Sequence, residues 1–120
     1  MNFNETNEFT KNFKRLSKKY KSLPDDLLEF KKVVSESPLG NKKHFVILHN
    51  QEKQEKLKIV KARFFCKYLR GASLRIVYAY RQNEEIIDFI EVYFKGERVS
   101  ENKALINEYL RQLNKKYNHG

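Results

Sequence analysis

The net charge is the first informative feature of this 120-residue chain, because 25 Lys and Arg stand against 15 Asp and Glu, a formal charge of +10. Such an excess favours a polyanionic partner, namely a nucleic acid, an acidic protein or a membrane surface. The length fits one domain, and the single cysteine, Cys66, excludes an internal disulfide and is typical of a reducing compartment. No apolar run reaches the roughly 18 residues of a membrane span, and we read no signal peptide in MNFNET. We therefore expect a cytoplasmic protein.

The first third of the chain predicts a short strand and two helices. Alternating apolar and polar residues in 1–3 indicate the strand. Thr6 can cap a helix, and a second helix begins after Ser22, with Pro24 in its first turn, and ends at SPLGN. The apolar stripe of the first helix is formed by Phe9, Phe13, Leu16 and Tyr20. Two helices with one apolar side each form an αα-hairpin that needs a sheet to cover.

The remaining segments predict an antiparallel sheet and a final helix. HFVILH, positions 44–49, is a strand candidate, and residues 57–67, 73–81 and 85–95 alternate with period two. Their connections, 69–72 and 82–84, are short enough for hairpins. A last helix is predicted after Ser100, with a tail that frays from about residue 114. The predicted fold is α+β in a single domain, 1–120. It has the αα-hairpin on one face of a twisted antiparallel sheet of about four to five strands, plus a C-terminal helix.

The side chains of the three long strands divide between two faces of the sheet. Even-numbered positions are apolar, with Asp88 as the one exception, and are predicted to face the helices. Odd-numbered positions carry charge and aromatic rings: Lys61, Arg63, Phe65, Arg75, Arg81, Phe89, Glu91, Tyr93 and Lys95. This assignment depends on the register, because a slip by one residue inverts a whole strand.

The cations on the odd-numbered face allow two interpretations. Lys61 and Arg63 lie on one strand and Arg75 on its neighbour, so they repel one another unless water screens them or phosphate binds them. Aromatic residues on the same face are suited to stacking on the bases of single-stranded nucleic acid. In the alternative, Glu91 pairs with Arg63 or Arg75 and the face is an ordinary solvated sheet. The pattern alone leaves both open.

Metal and cofactor chemistry receive little support from the sequence. Three scattered histidines and one cysteine give no zinc spacing. A glycine-rich phosphate loop is absent from the sequence. We therefore expect neither a metal nor a cofactor.

Three segments together resemble the RelE/ParE superfamily of type II toxin–antitoxin toxins: FTKNFKRLSKKYKSLPDDLLEF, KARFFCKYLRGASLRIVYAY and IIDFIEVYFKGE. The resemblance covers nearly the whole chain and implies two N-terminal helices on a twisted antiparallel sheet whose opposite face is exposed. It implies a RelE-like mRNA interferase, an endoribonuclease that blocks translation by cleaving mRNA on the ribosome without a metal. The implied partners are a cognate antitoxin, mRNA and the ribosome, with no membrane and no small-molecule cofactor. The alternatives are a ParE-like inhibitor of DNA gyrase and a non-toxic basic RNA-binding module.

The same resemblance suggests catalytic residues. Lys61 and Arg63 match the K-x-R motif of the RNase branch, and Arg75 matches its strand arginine. With no histidine in the cluster, Lys61 or Glu91 is left as the general base. We favour Lys61 because the neighbouring arginines disfavour its charged form.

The RNA-contacting set expected from the resemblance and the pattern lies around these residues: Phe65, Arg81, Tyr93, Lys95 and Arg98. Two departures from the RNase pattern leave the acid and the base undecided. Gly96 stands where the RNases have a second arginine, and Asn102 stands where they have a tyrosine at the start of the last helix.

Overall fold

A five-stranded sheet lies between two layers of helices. The computed structural model describes residues 1–40, 43–52 and 56–118. In chain order the elements are β1 Asn2–Glu5, α1 Asn7–Lys19, α2 Leu23–Glu36, β2 Phe45–Gln51, β3 Leu57–Cys66, β4 Gly71–Arg81, β5 Ile86–Phe94 and α3 Lys103–Asn118. The predicted α+β class, with a helical hairpin, a sheet and a C-terminal helix, is confirmed. None of these helices, in the ranges described, is long and apolar enough to cross a membrane.

The strand order is β1-β5-β4-β3-β2. Strands β2 to β5 pair antiparallel with their neighbours, as the hairpin connections predicted. Strand β1 differs, because it runs parallel to β5, with Asn2 opposite Ile86. Parallel neighbours need a long crossover connection, which the rest of the chain supplies here. The sheet is therefore mixed, with a parallel strand at one edge.

Helix α1 packs on one face of the sheet through its predicted apolar stripe. Thr6 caps the helix, since its Oγ1 accepts the backbone N–H of Phe9 at 3.1 Å. Phe9 is fully buried, and its ring centroid lies 5.2 Å from that of Phe89 on β5. Removing such an aromatic side chain from a close-packed core costs about 3–5 kcal/mol, so this stacking holds α1 to the sheet.

Helix α2 begins after Ser22, as predicted, but the serine side chain does not cap it. The Ser22 hydroxyl donates to the Asp26 carboxylate at 2.7 Å and accepts the backbone N–H of Tyr68 at 2.9 Å. The same carboxylate accepts the backbone N–H of Lys67 at 3.2 Å. Ser22 and Asp26 therefore tie the start of α2 to the connection between β3 and β4.

A β-bulge in β5 changes which residues face the helices. Val77 lies opposite Glu91 and Tyr78 opposite Phe89, so Ile90 is an extra residue on β5. A bulge inverts the alternation of side chains on one side of it. The prediction that Phe89 lies on the cationic side was therefore wrong, because Phe89 is fully buried under α1 and α2. The same inversion explains why Asp88 was the polar exception among the even-numbered positions: it lies opposite Ala79, on the face away from α1 and α2.

Helix α3 covers half of the opposite face. Its first N–H groups are capped by Asn102, whose Oδ1 accepts from Ala104 and Leu105 at 3.0 and 3.3 Å, two residues later than the cap predicted at Ser100. The helix continues through Asn118. Ile106 and Leu113 of α3 pack on the sheet and form a second apolar cluster with six of its residues: Leu57, Ile59, Val77, Ala79, Ile90 and Tyr93. The face opposite the helical hairpin, expected from the resemblance to be exposed, is therefore partly covered, and the sheet has a buried apolar cluster on each side.

Candidate nucleic-acid interface

The candidate interface lies on the odd-numbered face beside α3. Strand pairing sets Arg63 opposite Arg75, and Arg75 opposite Tyr93, in one row across three strands. In the next row Lys61 lies opposite Val77, which lies opposite Glu91. Directly paired residues project from the same face of a sheet. We call Lys61, Arg63 and Arg75 the cationic face.

The two arginines of the cationic face are directly opposed on adjacent strands. Arg63 is exposed, and its backbone N–H donates to the His44 carbonyl at 3.1 Å, which fixes the start of β2 beside it. Arg75 is half-buried and donates from Nη1 to the Leu74 carbonyl at 3.0 Å. Like charges directly opposite each other destabilise a sheet. An anion bound by both guanidinium groups would remove that repulsion and gain charge-assisted hydrogen bonds.

Lys61 has an acidic partner that the sequence analysis did not identify. Its Nζ lies 2.8 Å from Oε1 of Glu101, and these side chains are 26% and 11% exposed. The hydrogen bond from Lys61 is the main cause that holds the pKa of Glu101 below its ordinary value. Glu101 is 40 positions from Lys61 in sequence. The residues around it indicate an acidic side chain before a helix and give no sign of a contact with Lys61. Only the packing of α3 on the sheet brings it to Lys61.

Glu91 is buried and both of its carboxylate oxygens are engaged. Oε2 accepts from the guanidinium of Arg98, and Oε1 accepts the backbone N–H of Asn102 at 2.9 Å. Buried carboxylates are usually satisfied in this way. Glu91 therefore anchors the segment between β5 and α3 to the sheet.

Tyr93 lies beneath the same segment. The side chain is 6% exposed, and the Arg98 guanidinium lies over the ring, 4.7 Å from its centroid. Burial is the main cause that raises the pKa of Tyr93 above its ordinary value, so the hydroxyl stays protonated at neutral pH. A base can stack on Tyr93 only if Arg98 moves away. Phe65, in contrast, is 60% exposed at the end of β3.

Two other predicted contacts occupy different positions. Arg81 is buried at the opposite end of β4, where Nε lies 3.0 Å from Oδ2 of Asp88 and Nη1 lies 3.0 Å from Oε2 of Glu84. This position does not fit the predicted contact with RNA. Lys95 is exposed directly after β5. Gly96 stands where the RNases have a second arginine. A Cβ at this position would lie 2.6 Å from the ring of Phe94, so a larger residue would require that ring to move.

Arg63 also borders an apolar groove between α2 and β3. The groove has a volume of about 290 Å³. Its apolar lining consists of Phe30, Val33, Phe45, Phe64 and Phe65. Arg63 and Lys67 contribute positive charge at its edge, and Asp26 and Glu29 contribute negative charge. Neither Arg63 nor Lys67 has an ion pair with the described residues. Val33, on the α2 side of the groove, is 52% exposed. We call this feature the α2–β3 groove.

Metal ligands do not cluster in the described part of the chain. Residues 1–40, 43–52 and 56–118 contain no group of three or more His, Cys, Asp or Glu side chains that could hold an ion. Cys66 is buried and lies 3.5 Å from the Ser22 hydroxyl. The chemistry available at the cationic face is therefore that of arginine, lysine, carboxylate and tyrosine.

Comparison with known proteins supports the fold. No protein-family model matches the chain, and no curated protein matches it in sequence. Among solved structures, the chain is similar to one in the crystal structure of the archaeal RelE–RelB complex from Pyrococcus horikoshii OT3, with a TM-score of 0.57 and 17% sequence identity. The match covers 79% of this chain and 94% of that one. At this identity the similarity concerns the fold, and the chain has a RelE-like fold.

Proposed function

We propose that the chain is the toxin of a type II toxin–antitoxin system and acts as a ribosome-dependent mRNA endonuclease. The RelE-like fold is compatible with both an RNase and a gyrase inhibitor. The observation that carries the proposal is the pairing of Arg63 with Arg75, directly opposed across two strands with Lys61 in the next row. Such a cluster offers two guanidinium groups and an ammonium, which bind phosphate oxygens through charge-assisted hydrogen bonds, and this favours the RNase.

In the proposed reaction, Arg63 and Arg75 hold the scissile phosphate and stabilise the charge that develops on its oxygens. The 2′-hydroxyl loses its proton and attacks the adjacent phosphorus, and the bond to the 5′-oxygen breaks. The products are a cyclic phosphate and a 5′-hydroxyl end. Preorganised donors of this kind act without a metal.

The proton donor and acceptor are assigned by exclusion. Glu91 is buried with both oxygens engaged, so it is not available as the base. We assign the base to Lys61 in its neutral form, which requires that the ammonium first leaves Glu101 and any phosphate oxygen that replaces it, and then gives up its proton. We assign proton donation to the leaving 5′-oxygen to Tyr93, whose hydroxyl is protonated at neutral pH, although the burial that raises its pKa makes it a weaker acid. Tyr93 reaches substrate only when Arg98 moves.

Induction of the chain in a bacterium tests this proposal. We expect translation to stop and mRNA to be cleaved at codons within ribosomes, as mapped by sequencing of RNA 5′ ends. A double variant, Arg63→Ala with Arg75→Ala, is the inactive control. A DNA-damage response with intact mRNA would instead support a gyrase inhibitor. Unimpaired growth would support a non-toxic RNA-binding module.

We further propose a cognate antitoxin that binds the α2–β3 groove. The groove offers apolar contacts to a partner side chain, and its edge carries both signs of charge, Arg63 and Lys67 beside Asp26 and Glu29. The cations on the β3 side can pair with carboxylates of a partner. A base would leave its polar edges unpaired against this apolar lining, which is costly, so the groove suits a protein better than RNA. An acidic segment bound there would cover Arg63 and so block one side of the cationic face.

Val33→Asp is expected to weaken the complex with the antitoxin by about tenfold or more, because a central apolar anchor contributes roughly 1–2 kcal/mol. The measurement is the Kd by calorimetry. Leu28→Asp is the matched control, since Leu28 is 57% exposed on the same helix and lies outside the groove. Equal Kd values for the two variants would exclude the groove. Salt should also weaken the wild-type complex, because the interface is partly electrostatic.

A further inference from the structure

The segment between β5 and α3, residues 95–102, is attached to the sheet next to the cationic face. Arg98 and the backbone N–H of Asn102 both bind Glu91, and Glu101 binds Lys61. Arg98 also covers the ring of Tyr93. The segment therefore closes over one side of the candidate interface and leaves Arg63 exposed on the other.

Glu101 gives Lys61 the contact that a phosphate oxygen would give. A carboxylate oxygen 2.8 Å from an ammonium is a charge-assisted hydrogen bond, and a phosphate oxygen binds lysine at a similar distance. Because the pKa of Glu101 is held below its ordinary value, its carboxylate is ionised at neutral pH. In this structure, Lys61 is occupied by an anion from its own chain.

We propose that Glu101 is an internal competitor for the anion site, which a phosphate of single-stranded RNA must displace from Lys61. The identity of the ligand rests on the proposed function, whereas the competition rests on the ion pair. The exposed Arg63 then makes the first contact with RNA, and Lys61 is engaged only when the segment 95–102 moves. Glu101 is a positioning residue, because it acts through Lys61 and does not itself contact the substrate.

Binding to an RNA that cannot be cleaved isolates this competition from catalysis. The probe is a fluorescent single-stranded RNA with methylated 2′-hydroxyl groups, and its Kd is measured by anisotropy. We expect Glu101→Gln to bind about fivefold tighter than Glu97→Gln, the effect of freeing one partly exposed ion pair. Glu97 is an exposed residue of the same segment, so both variants change the net charge equally.

Two further variants separate the contact from the charge. Glu101→Asp keeps the charge but shortens the side chain, so it should also bind tighter than the wild type. In a Lys61→Ala background, Glu101→Gln and Glu97→Gln should bind alike, because no ammonium is left to release. Urea unfolding of each variant shows that the comparison is made on folded protein.

Three results would overturn the competition. The first is equal binding by Glu101→Gln and Glu97→Gln, and the second is a gain that persists without Lys61. The third is a loss of mRNA cleavage in Glu101→Gln with no gain in binding, which would make Glu101 a base. Absence of cleavage by the wild type would overturn the proposed function and leave the binding result standing, so the two failures are distinguishable.

Discussion

Replacing Arg75 with alanine is expected to slow mRNA cleavage by about 100- to 1000-fold, a loss of roughly 2.7–4 kcal/mol of transition-state stabilisation. Arg75 lies in the middle of the row, between Arg63 and Tyr93, where a phosphate on this face would be held. The assay is single-turnover cleavage on ribosomes programmed with a defined mRNA. Arg75→Lys keeps the charge but loses the planar fork, so it should recover only part of the rate.

Arg111→Ala is the matched control for this prediction. Arg111 is exposed on α3 and pairs with Glu108 at 2.7 Å, so the change removes the same side chain away from the cationic face. We expect it to cleave at close to the wild-type rate. If Arg63→Ala and Arg75→Ala both retained that rate, the reaction would take place on another surface of the protein.

Replacing Asp88 with alanine is expected to lower the free energy of unfolding by about 3–5 kcal/mol, the usual effect of removing one partner of a buried ion pair. The change removes the buried carboxylate partner of Arg81 and leaves it with the more exposed carboxylate of Glu84. Asn4 and Tyr109 also lose an acceptor, since both donate to Asp88. These contacts join β1, β4, β5 and α3 at one end of the sheet. Urea denaturation measures the change.

The control for the Asp88 variant is Glu108→Ala, which removes a carboxylate from an exposed pair and should cost about 1 kcal/mol or less. A double variant, Arg81→Met with Asp88→Leu, should recover much of the stability lost in Asp88→Ala, because no uncompensated charge remains. A loss for Asp88→Ala no larger than that for Glu108→Ala would contradict a structural role for this pair.

The elements that the sequence predicted well are those specified by local pattern. The spacing of Phe9 and Leu16 predicts α1, and the same two residues are buried in the structure. Likewise, the period-two alternation of β3 places Lys61 and Arg63 on one face, and the register pairs Arg63 with Arg75. Local sequence is informative here because helix and strand periodicities decide which side chains share a face.

The features that the sequence did not predict depend on contacts between distant segments. The bulge at Ile90 exchanged the faces of Asp88 and Phe89, and its one trace in the residue pattern is Asp88, the polar exception among the even-numbered positions. Arg75 and Arg81 look equivalent along β4, but Arg81 is buried in an ion pair with Asp88, whereas Arg75 is half-buried opposite Arg63. Glu101 reaches Lys61 only through the packing of α3. Tertiary contacts therefore decide which of the predicted cations are available to a ligand.

The parallel pairing of β1 with β5 has a consequence for synthesis on the ribosome. Asn2 pairs with Ile86, and the Thr6 hydroxyl, which also caps α1, donates to the Ile90 carbonyl at 3.2 Å. The residues of β1 therefore wait for β5, which is made more than half the chain later, before they can take their place in the sheet. Long-range pairings of this kind form late, because the intervening loop must be closed first. The cationic face also needs β3, β4 and β5 together, so a nascent chain that has not yet folded β5 would carry Lys61, Arg63 and Arg75 without the sheet that sets them in rows.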